Sequence, residues 1–373
     1  MFDAHRSHLR DLEAAGRLRA LRPRSGIDFA SNDYLGLAGS AALSEAVAAA
    51  LERGVPVGSG GSRLLRGNHP EHESLEAEAA ALFGSSAALY FSSGYAANST
   101  MLATLPQTGD LVVHDALIHA SAHEGLRLGR AESRAFPHND IAALEAAVAD
   151  WRSRGGRGRV WIAVESLYSM DGDRAPLTAL AAVADRLEAM LLIDEAHAVG
   201  VLGPGGLGLA AGLDGRENVI VLRTCGKALG CEGALVCGDR TVIDFLVNRG
   251  RGFIFSTAPS PLMASAVRAG LRLMADDGLR TRLGDLVARA GTAFERRLGR
   301  PATGSQILPL VLGDDHAAMR AAAALQAAGF DVRGIRPPTV PVGTARLRIS
   351  VTLNVVAAEI DALIDALEPL LEI

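Results

Sequence analysis

The stretch MLLIDEAHAVG, Met190 to Gly200, runs from four apolar residues into Asp194, Glu195, Ala196 and His197. A short apolar run of this kind reads as a buried strand, and the groups at its end stand where open α/β sheets bind ligands, beyond the carboxyl ends of the strands. DEAH also spells the metal-and-hydrolysis box of nucleic-acid helicases, and a carboxylate with an imidazole would equally serve zinc or an organic cofactor. The rest of the chain separates these readings.

Working outward, Ala-rich segments of helical spacing alternate with the apolar runs ALYFSS, LVVHD, RVWIAVES, AMLLIDE, VIVLRTCG and GALVCG. That alternation predicts an α/β fold with a mostly parallel sheet covered by helices. Several runs end in small, polar or charged residues: Ser92 and Ser93, Asp115, Glu165 with Ser166, Asp194, Thr224. After FSTAPSP the pattern changes. A long helix beginning near Leu262 leads to ILPLVLG, then come a helix over Asp315 to Ala328, DVRGIRPPTVP, RLRISVT and an amphipathic helix near Ala357 to Leu371, together a small α+β domain. The N-terminal MFDAHRSHLRDLEAAGRLRALRPR reads as a charged amphipathic helix. With 373 residues the chain exceeds one compact core. The expected division is residues 1–40 as an N-terminal helix and segment, 41–258 as a large domain, and 259–373 as a connecting helix with the small C-terminal domain.

Hydrophobic residues make up 49% and the formal charge is −5, which argues against intrinsic disorder and against a surface built to coat a polyanion. No nucleic acid is expected as partner. Neither a signal-type apolar core nor a membrane-spanning stretch stands out, so a cytoplasmic protein is expected. Cys225, Cys231 and Cys237 are too evenly spaced for paired metal ligands and read as reduced structural thiols. The helicase reading needs an upstream GxxxxGK[ST] loop. The Gly226-Lys227 pair lies downstream, is followed by Ala228, and has Val221 where the first glycine should be. GPGGLG, Gly203 to Gly208, matches GxGxxG but follows the DEAHAVG loop and carries Pro204, so it reads as a surface loop. Zinc lacks its partners: the ten histidines are scattered and HEGLR at His123 has no second histidine, so no metal is expected.

An organic cofactor remains. Lys227 lies just past an apolar strand, between Gly226 and Gly230, with Thr224 before it. A partly desolvated amine there suits carbonyl chemistry. Pyridoxal 5'-phosphate asks for a lysine, an acid facing its ring nitrogen and a small-residue cradle for its phosphate. SSGYAAN supplies the cradle at a strand-to-helix turn through the Gly94 and Tyr95 amides. Asp194 would keep the ring nitrogen protonated, with His197 at the ring edge.

FASNDYLGL, GSGGSRLLRGNHPEHESLE, SSGYAAN, HASAHEG, ESLYSMDGD, DEAHAVGVLG, TCGKALG and IRPPTVPVGTARLRIS follow one another along the chain. In this order they resemble the α-oxoamine synthases, fold type I pyridoxal-phosphate enzymes of aspartate aminotransferase-like architecture. The resemblance implies that Lys227 holds the cofactor covalently, that His119 stacks on its ring, and that Ser169 and Thr224 touch its oxygens. Lys227, His119, Asp194 and His197 are the implied catalytic set. Arg348 is implied at the amino acid carboxylate, Arg22 and Thr339 at the acyl substrate, and Asn32 and Ser62 as further substrate contacts. Arg336, beside the stiff Pro337-Pro338 pair, is expected with Thr339 at a distal acyl carboxylate. IRPPTVPVGTARLR is most similar to members that join L-alanine to a pimeloyl thioester, on coenzyme A or acyl carrier protein; glycine with an acetyl or succinyl donor is the alternative. The resemblance also implies a homodimer in which Ser256 or Thr257 reaches the partner's cofactor phosphate. Phe255, where many relatives have tyrosine, and Cys225, where an aromatic is common, depart from the pattern.

Overall fold

The computed structural model describes residues 1–371. In chain order its strands are β1 (Ile27–Asp28), β2 (Ala87–Phe91), β3 (Leu111–Asp115), β4 (Glu132–Phe136), β5 (Val160–Glu165), β6 (Met190–Asp194), β7 (Val219–Thr224), β8 (Ala234–Gly238), β9 (Ile307–Gly313), β10 (Phe330–Asp331), β11 (Arg333–Ile335) and β12 (Ala345–Ser350). They fall in two compact units.

The larger unit, Leu35–Ser169 with Arg174–Arg280, holds a seven-stranded sheet of order β2-β8-β7-β6-β5-β3-β4. Its β7, β6, β5, β3 and β4 run parallel, and β8 and β2 add antiparallel pairs at one edge. Strand residues alternate between two apolar faces. Val160, Ile162 and Val164 join Leu191 and Ile193 on one, under the helices Ile141–Ser153 and Leu177–Arg186. Trp161, Ala163, Met190 and Leu192 face the other, with Ala97, Met101 and Leu102 of helix Gly94–Thr104 and Ala122 of helix Ala120–Leu128. Because both faces are covered, the central strands are apolar throughout rather than alternating, which made them legible as runs. β4 escaped that reading because ESRAF is an edge strand with most of its residues exposed or half-buried.

The smaller unit comprises Met1–Tyr34, Met170–Asp173 and the chain from Thr281. It has an antiparallel sheet β11-β12-β9 and a short parallel pair in which Ile27 of β1 faces Phe330 of β10. The expected N-terminal segment 1–40 thus divides after Tyr34, and the helix Pro261–Leu273, expected with the C-terminal segment, lies in the larger unit, packed on helices Ala41–Glu52 and Pro70–Leu82.

Two helix expectations change. The long helix from Leu262 is two, Pro261–Leu273 and Asp277–Leu298. The break is local: the Asp276 carboxylate accepts the Gly278 N–H (2.8 Å), an alternative to helical pairing at the start of the second helix. The N-terminal helix spans only Asp3–Ala14. Gly16, at φ +67°, ends it, and the N–H groups of Arg17 and Leu18 turn back to the Leu12 carbonyl (2.7 and 3.1 Å).

Candidate active site

Parallel register aligns the strand ends of the larger unit. Asp194 closes β6, where its Oδ2 accepts from the Asn98 amide (2.7 Å) and its Oδ1 from the Ala196 N–H (2.8 Å). Beyond β7, the Lys227 Nζ lies 2.7 Å from Nε2 of the buried His197. Lys227 is the only lysine in the sequence; every other basic side chain of this kind is arginine. Any covalent capture by a side-chain amine therefore falls on this one residue.

The helix Gly94–Thr104 begins beside this cluster, capped by the Ser93 hydroxyl, which accepts from the Ala96 N–H (3.1 Å). The first N–H groups of a helix have no acceptor within it, so those of Gly94 and Tyr95 are available to an anion. A Cβ at Gly94 would lie 3.5 Å from the Thr224 hydroxyl, which borders the same spot and here donates to the Gly233 carbonyl (3.3 Å). His119 caps the next helix, its Nδ1 2.8 Å from the Ser121 hydroxyl, and meets the half-exposed Tyr95 ring edge to face at 6.5 Å. Its pKa is lowered by desolvation first; Lys227 and His123 add to this and the Asp194 charge opposes it. The buried Ser169 donates its N–H to Glu165 Oε2 (3.1 Å).

Glu165 is a residue to which the sequence reading gave no role. It is 3% exposed, stands in register with Asp194, and its carboxyl is pushed up to about 8, by burial first and by the Asp194 charge next. An acid closing the apolar strand beside the Asp194 strand was the available signal. The GPGGLG segment is also more than a surface loop. Gly206 and Gly208 are buried, the N–H groups of Leu209 and Ala210 donate to Glu195 (2.9 and 2.7 Å), and a Cβ at Gly208 would collide with that carboxylate. Burial raises Glu195 to about 7, with the Arg223 charge opposing. The loop therefore holds the residue next to Asp194.

Ser62, Ser256 and Thr257 belong to a separate patch of this unit. The Ser62 carbonyl closes a turn by accepting from the Leu65 and Gly67 N–H groups (3.1 and 2.9 Å). Ser256 donates to the Thr257 carbonyl (3.3 Å), and the neighbouring Ala258 N–H donates to Gly61 (2.9 Å), tying the two segments together. Val57, Leu64, Leu65 and Phe255 are exposed on the same segments. Cys225, Cys231 and Cys237 are free thiols, the first and last buried.

In the smaller unit, Arg348 on β12 is 6% exposed and donates to three neutral oxygens: Ser350 (2.8 Å), Asn32 (3.0 Å) and the Tyr34 hydroxyl (3.3 Å). Tyr34 also donates to Asn32 (3.0 Å). Arg336 is 8% exposed and donates to the backbone carbonyls of Leu18 (2.8 Å) and Gly334 (3.2 Å), with Nε unpartnered among the described residues. Its two terminal nitrogens thus each serve a backbone carbonyl of the chain. The cation that reaches Thr339 is Arg19, at 3.4 Å from the hydroxyl, a residue the sequence reading passed over. Arg22 is exposed and donates to Gln326 (3.2 Å).

No helix among the described residues is long and apolar enough to cross a membrane. The family model for class I and II aminotransferases matches residues 24–367. The chain is 44% identical to the 8-amino-7-oxononanoate synthase of Chromobacterium violaceum, over 92% of this chain and 88% of the relative. It is 43% identical to that of Anaeromyxobacter dehalogenans, over 98% and 94%. Among solved structures, a serine palmitoyltransferase from S. paucimobilis with a PLP–myriocin adduct superposes with a TM-score of 0.89 at 26% identity, over 99% of this chain and 97% of the other. The 8-amino-7-oxononanoate synthase of Francisella tularensis gives 0.77 at 26%, over 93% and 98%.

Proposed function

Since the chain belongs to the class I and II aminotransferase family, we propose that it is a pyridoxal-phosphate acyltransferase of the α-oxoamine synthase type. It joins L-alanine to a pimeloyl thioester, giving 8-amino-7-oxononanoate, CO2 and the free thiol, a step of biotin biosynthesis. The observation that carries this is identity of 43–44% to relatives of that name over 92–98% of the chain. Backbone likeness alone does not separate alanine from serine chemistry, because the same architecture serves both named neighbours.

The residues present fit the cofactor. A sole lysine, an acid that accepts from two N–H donors, and a helix start with an adjacent hydroxyl match its carbonyl, ring nitrogen and phosphate in turn. Pyridoxal phosphate supplies an electron-withdrawing ring conjugated to the α-carbon of the bound amino acid. Gly94, Tyr95 and Thr224 would hold the phosphate, Asp194 would keep the proton on the ring nitrogen, and Ser169 and His197 would orient the ring edge. Lys227 would hold the cofactor and, as a free amine, would take the α-proton of the amino acid. His119, its imidazole biased neutral, covers the ring face and donates a hydrogen bond to the acyl carbonyl as charge develops there. As the α-carbon bonds to the acyl carbonyl carbon the thiol leaves, the alanine carboxylate then departs as CO2, and Lys227 would return a proton to the α-carbon.

In the smaller unit, Arg348 with Asn32 is our reading for the amino acid carboxylate, and Arg19 with Thr339 and Arg22 for the distal acyl carboxylate. Ser62, Ser256 and Thr257 are assigned to a homodimer surface that shares its sites. The exposed Val57, Leu64, Leu65 and Phe255 on these segments support this, since exposed apolar side chains gathered on one surface mark association. Acyl carrier protein is a candidate donor beside coenzyme A, and the cytoplasm the candidate compartment. Purified protein given pimeloyl, acetyl, succinyl and palmitoyl thioesters with alanine, glycine or serine should favour the pimeloyl and alanine pair, read as thiol release and product mass. Faster turnover of glycine with acetyl-CoA, or of serine with the palmitoyl donor, replaces this reading. For the shared site, mixing Lys227→Ala chains with Thr257→Ala chains should restore activity that neither has alone.

A further inference from the structure

Glu165 of β5 and Asp194 of β6 are register partners at the ends of adjacent parallel strands, so two carboxyl groups lie side by side. Their surroundings differ. Asp194 accepts from two N–H donors, whereas Glu165 accepts one, from Ser169, and its Oε1 has no partner among the described residues. Glu165, Asp194, Asn98 and His119 line a cavity of about 20 Å³, room for a single water. A buried carboxylate with a bare oxygen is costly, and a second anion beside it raises the cost further. The better-solvated member of the pair is Asp194.

We propose that Glu165 is a positioning residue that stays protonated and so keeps Asp194 the ionised member of the pair. This rests on the reading that Asp194 faces the cofactor's ring nitrogen. The other groups around Glu165 agree with the assignment. Asp115, at the end of β3, is held ionised by His138 (2.9 Å) and by the Leu117 and Asn139 N–H groups (both 2.8 Å), so it adds a negative charge that favours the protonated form. Lys227 and the Ser169 N–H oppose it, yet the balance still lies above neutrality, at about 8. His119 and His114 are both biased towards the neutral form by burial and bring no competing cation at neutral pH.

The sign of the linkage gives a test that needs no cofactor. A carboxyl whose pKa is raised on folding binds a proton that the unfolded chain has released, so it lowers stability as pH climbs between the two values. In cofactor-free protein, the melting temperature of wild type should fall relative to Glu165→Gln from about pH 5 to 8. Asp194→Asn should flatten the wild-type slope, because the charge that helps raise Glu165 is gone. If Glu165→Gln does not fold, the wild-type and Asp194→Asn slopes decide alone. In loaded enzyme, Glu165→Gln should keep turnover at pH 7 within about threefold of wild type. A gap in melting temperature that does not change with pH, an Asp194→Asn slope equal to wild type, or a tenfold loss in folded, cofactor-bound Glu165→Gln overturns the proposal. Cofactor binding itself, read from visible absorbance, tests the functional reading separately.

Discussion

The strand ends of the larger unit and the arginines of the smaller unit carry their polar groups in contrasting ways. Asp194, Thr224 and Lys227 are placed by parallel register and by short turns after strands, so position in the sequence translates directly into position in space. Arg336 follows β11 and Arg348 lies within β12, and both are buried, yet one donates to backbone carbonyls and the other to three neutral side-chain oxygens. Position at a strand end is thus readable from sequence, whereas the partners that a buried arginine takes are not.

The sharpest way to break the first half of that contrast is Lys227→Ala. On the proposed roles of holding the cofactor and moving the proton, its loss should cut kcat by about 10² to 10⁴ or more. Borohydride treatment of wild type should place the pyridoxyl label on the peptide bearing Lys227, and on no side-chain amine at all in the variant, because no other lysine exists. Labelling that survives the substitution removes Lys227 from the site.

Arg348→Ala comes next. Loss of a buried, charge-assisted contact costs roughly 1.5 to 3 kcal/mol, or one to two orders of magnitude. The KM for alanine should rise by that factor while the KM for the acyl donor stays near wild type. A matching rise in both would mean that Arg348 supports the fold rather than the carboxylate.

Arg336 and Arg19 form the comparison's finer test. Arg336→Ala leaves two carbonyls and their surroundings without a donor, so it should lower stability by about 1 to 3 kcal/mol in denaturant melts with little change in acyl preference. Arg19→Ala, at an exposed side chain, should leave stability alone and raise the pimeloyl KM about tenfold, since one charge-assisted contact is lost. The reverse pattern would return the distal carboxylate to Arg336.

These residues also mark how far the sequence could be read. The buried strands were legible because a sheet covered on both faces makes each strand an uninterrupted apolar run, and ESRAF was missed because an edge strand need not be one. The order of motifs pointed to residues that close or follow strands, among them Asp194, Thr224 and Lys227. Arg336 could not be read in this way: its partner is the Leu18 carbonyl, a backbone atom far away in sequence that has no side-chain signature. Glu195 and the GPGGLG loop share that difficulty, because backbone N–H groups hold the carboxylate there. The helix break at Asp276 was written in the sequence, as an aspartate followed by Asp277 and Gly278, but helical spacing on both sides concealed it.

The smallest effect concerns the segment that carries Arg19 and Arg22. Gly16 ends the first helix with a left-handed φ of +67°, which L-residues with a Cβ adopt at a cost of about 1 to 2 kcal/mol. A Cβ there would also press on the His316 ring at 3.0 Å. Gly16→Ala should therefore loosen the turn in which Arg17 and Leu18 bond back to Leu12, and free the Leu18 carbonyl from Arg336 part of the time. Because the helix Asp3–Ala14 has no buried residue, little of the core depends on it and global stability should drop by no more than that same 1 to 2 kcal/mol. Amide exchange at residues 16–24 should accelerate, and the pimeloyl KM should rise a few-fold with the alanine KM unchanged. Faster exchange with no change in the acyl KM would show that the N-terminal segment does not hold the distal carboxylate, and would leave Thr339 without its cation.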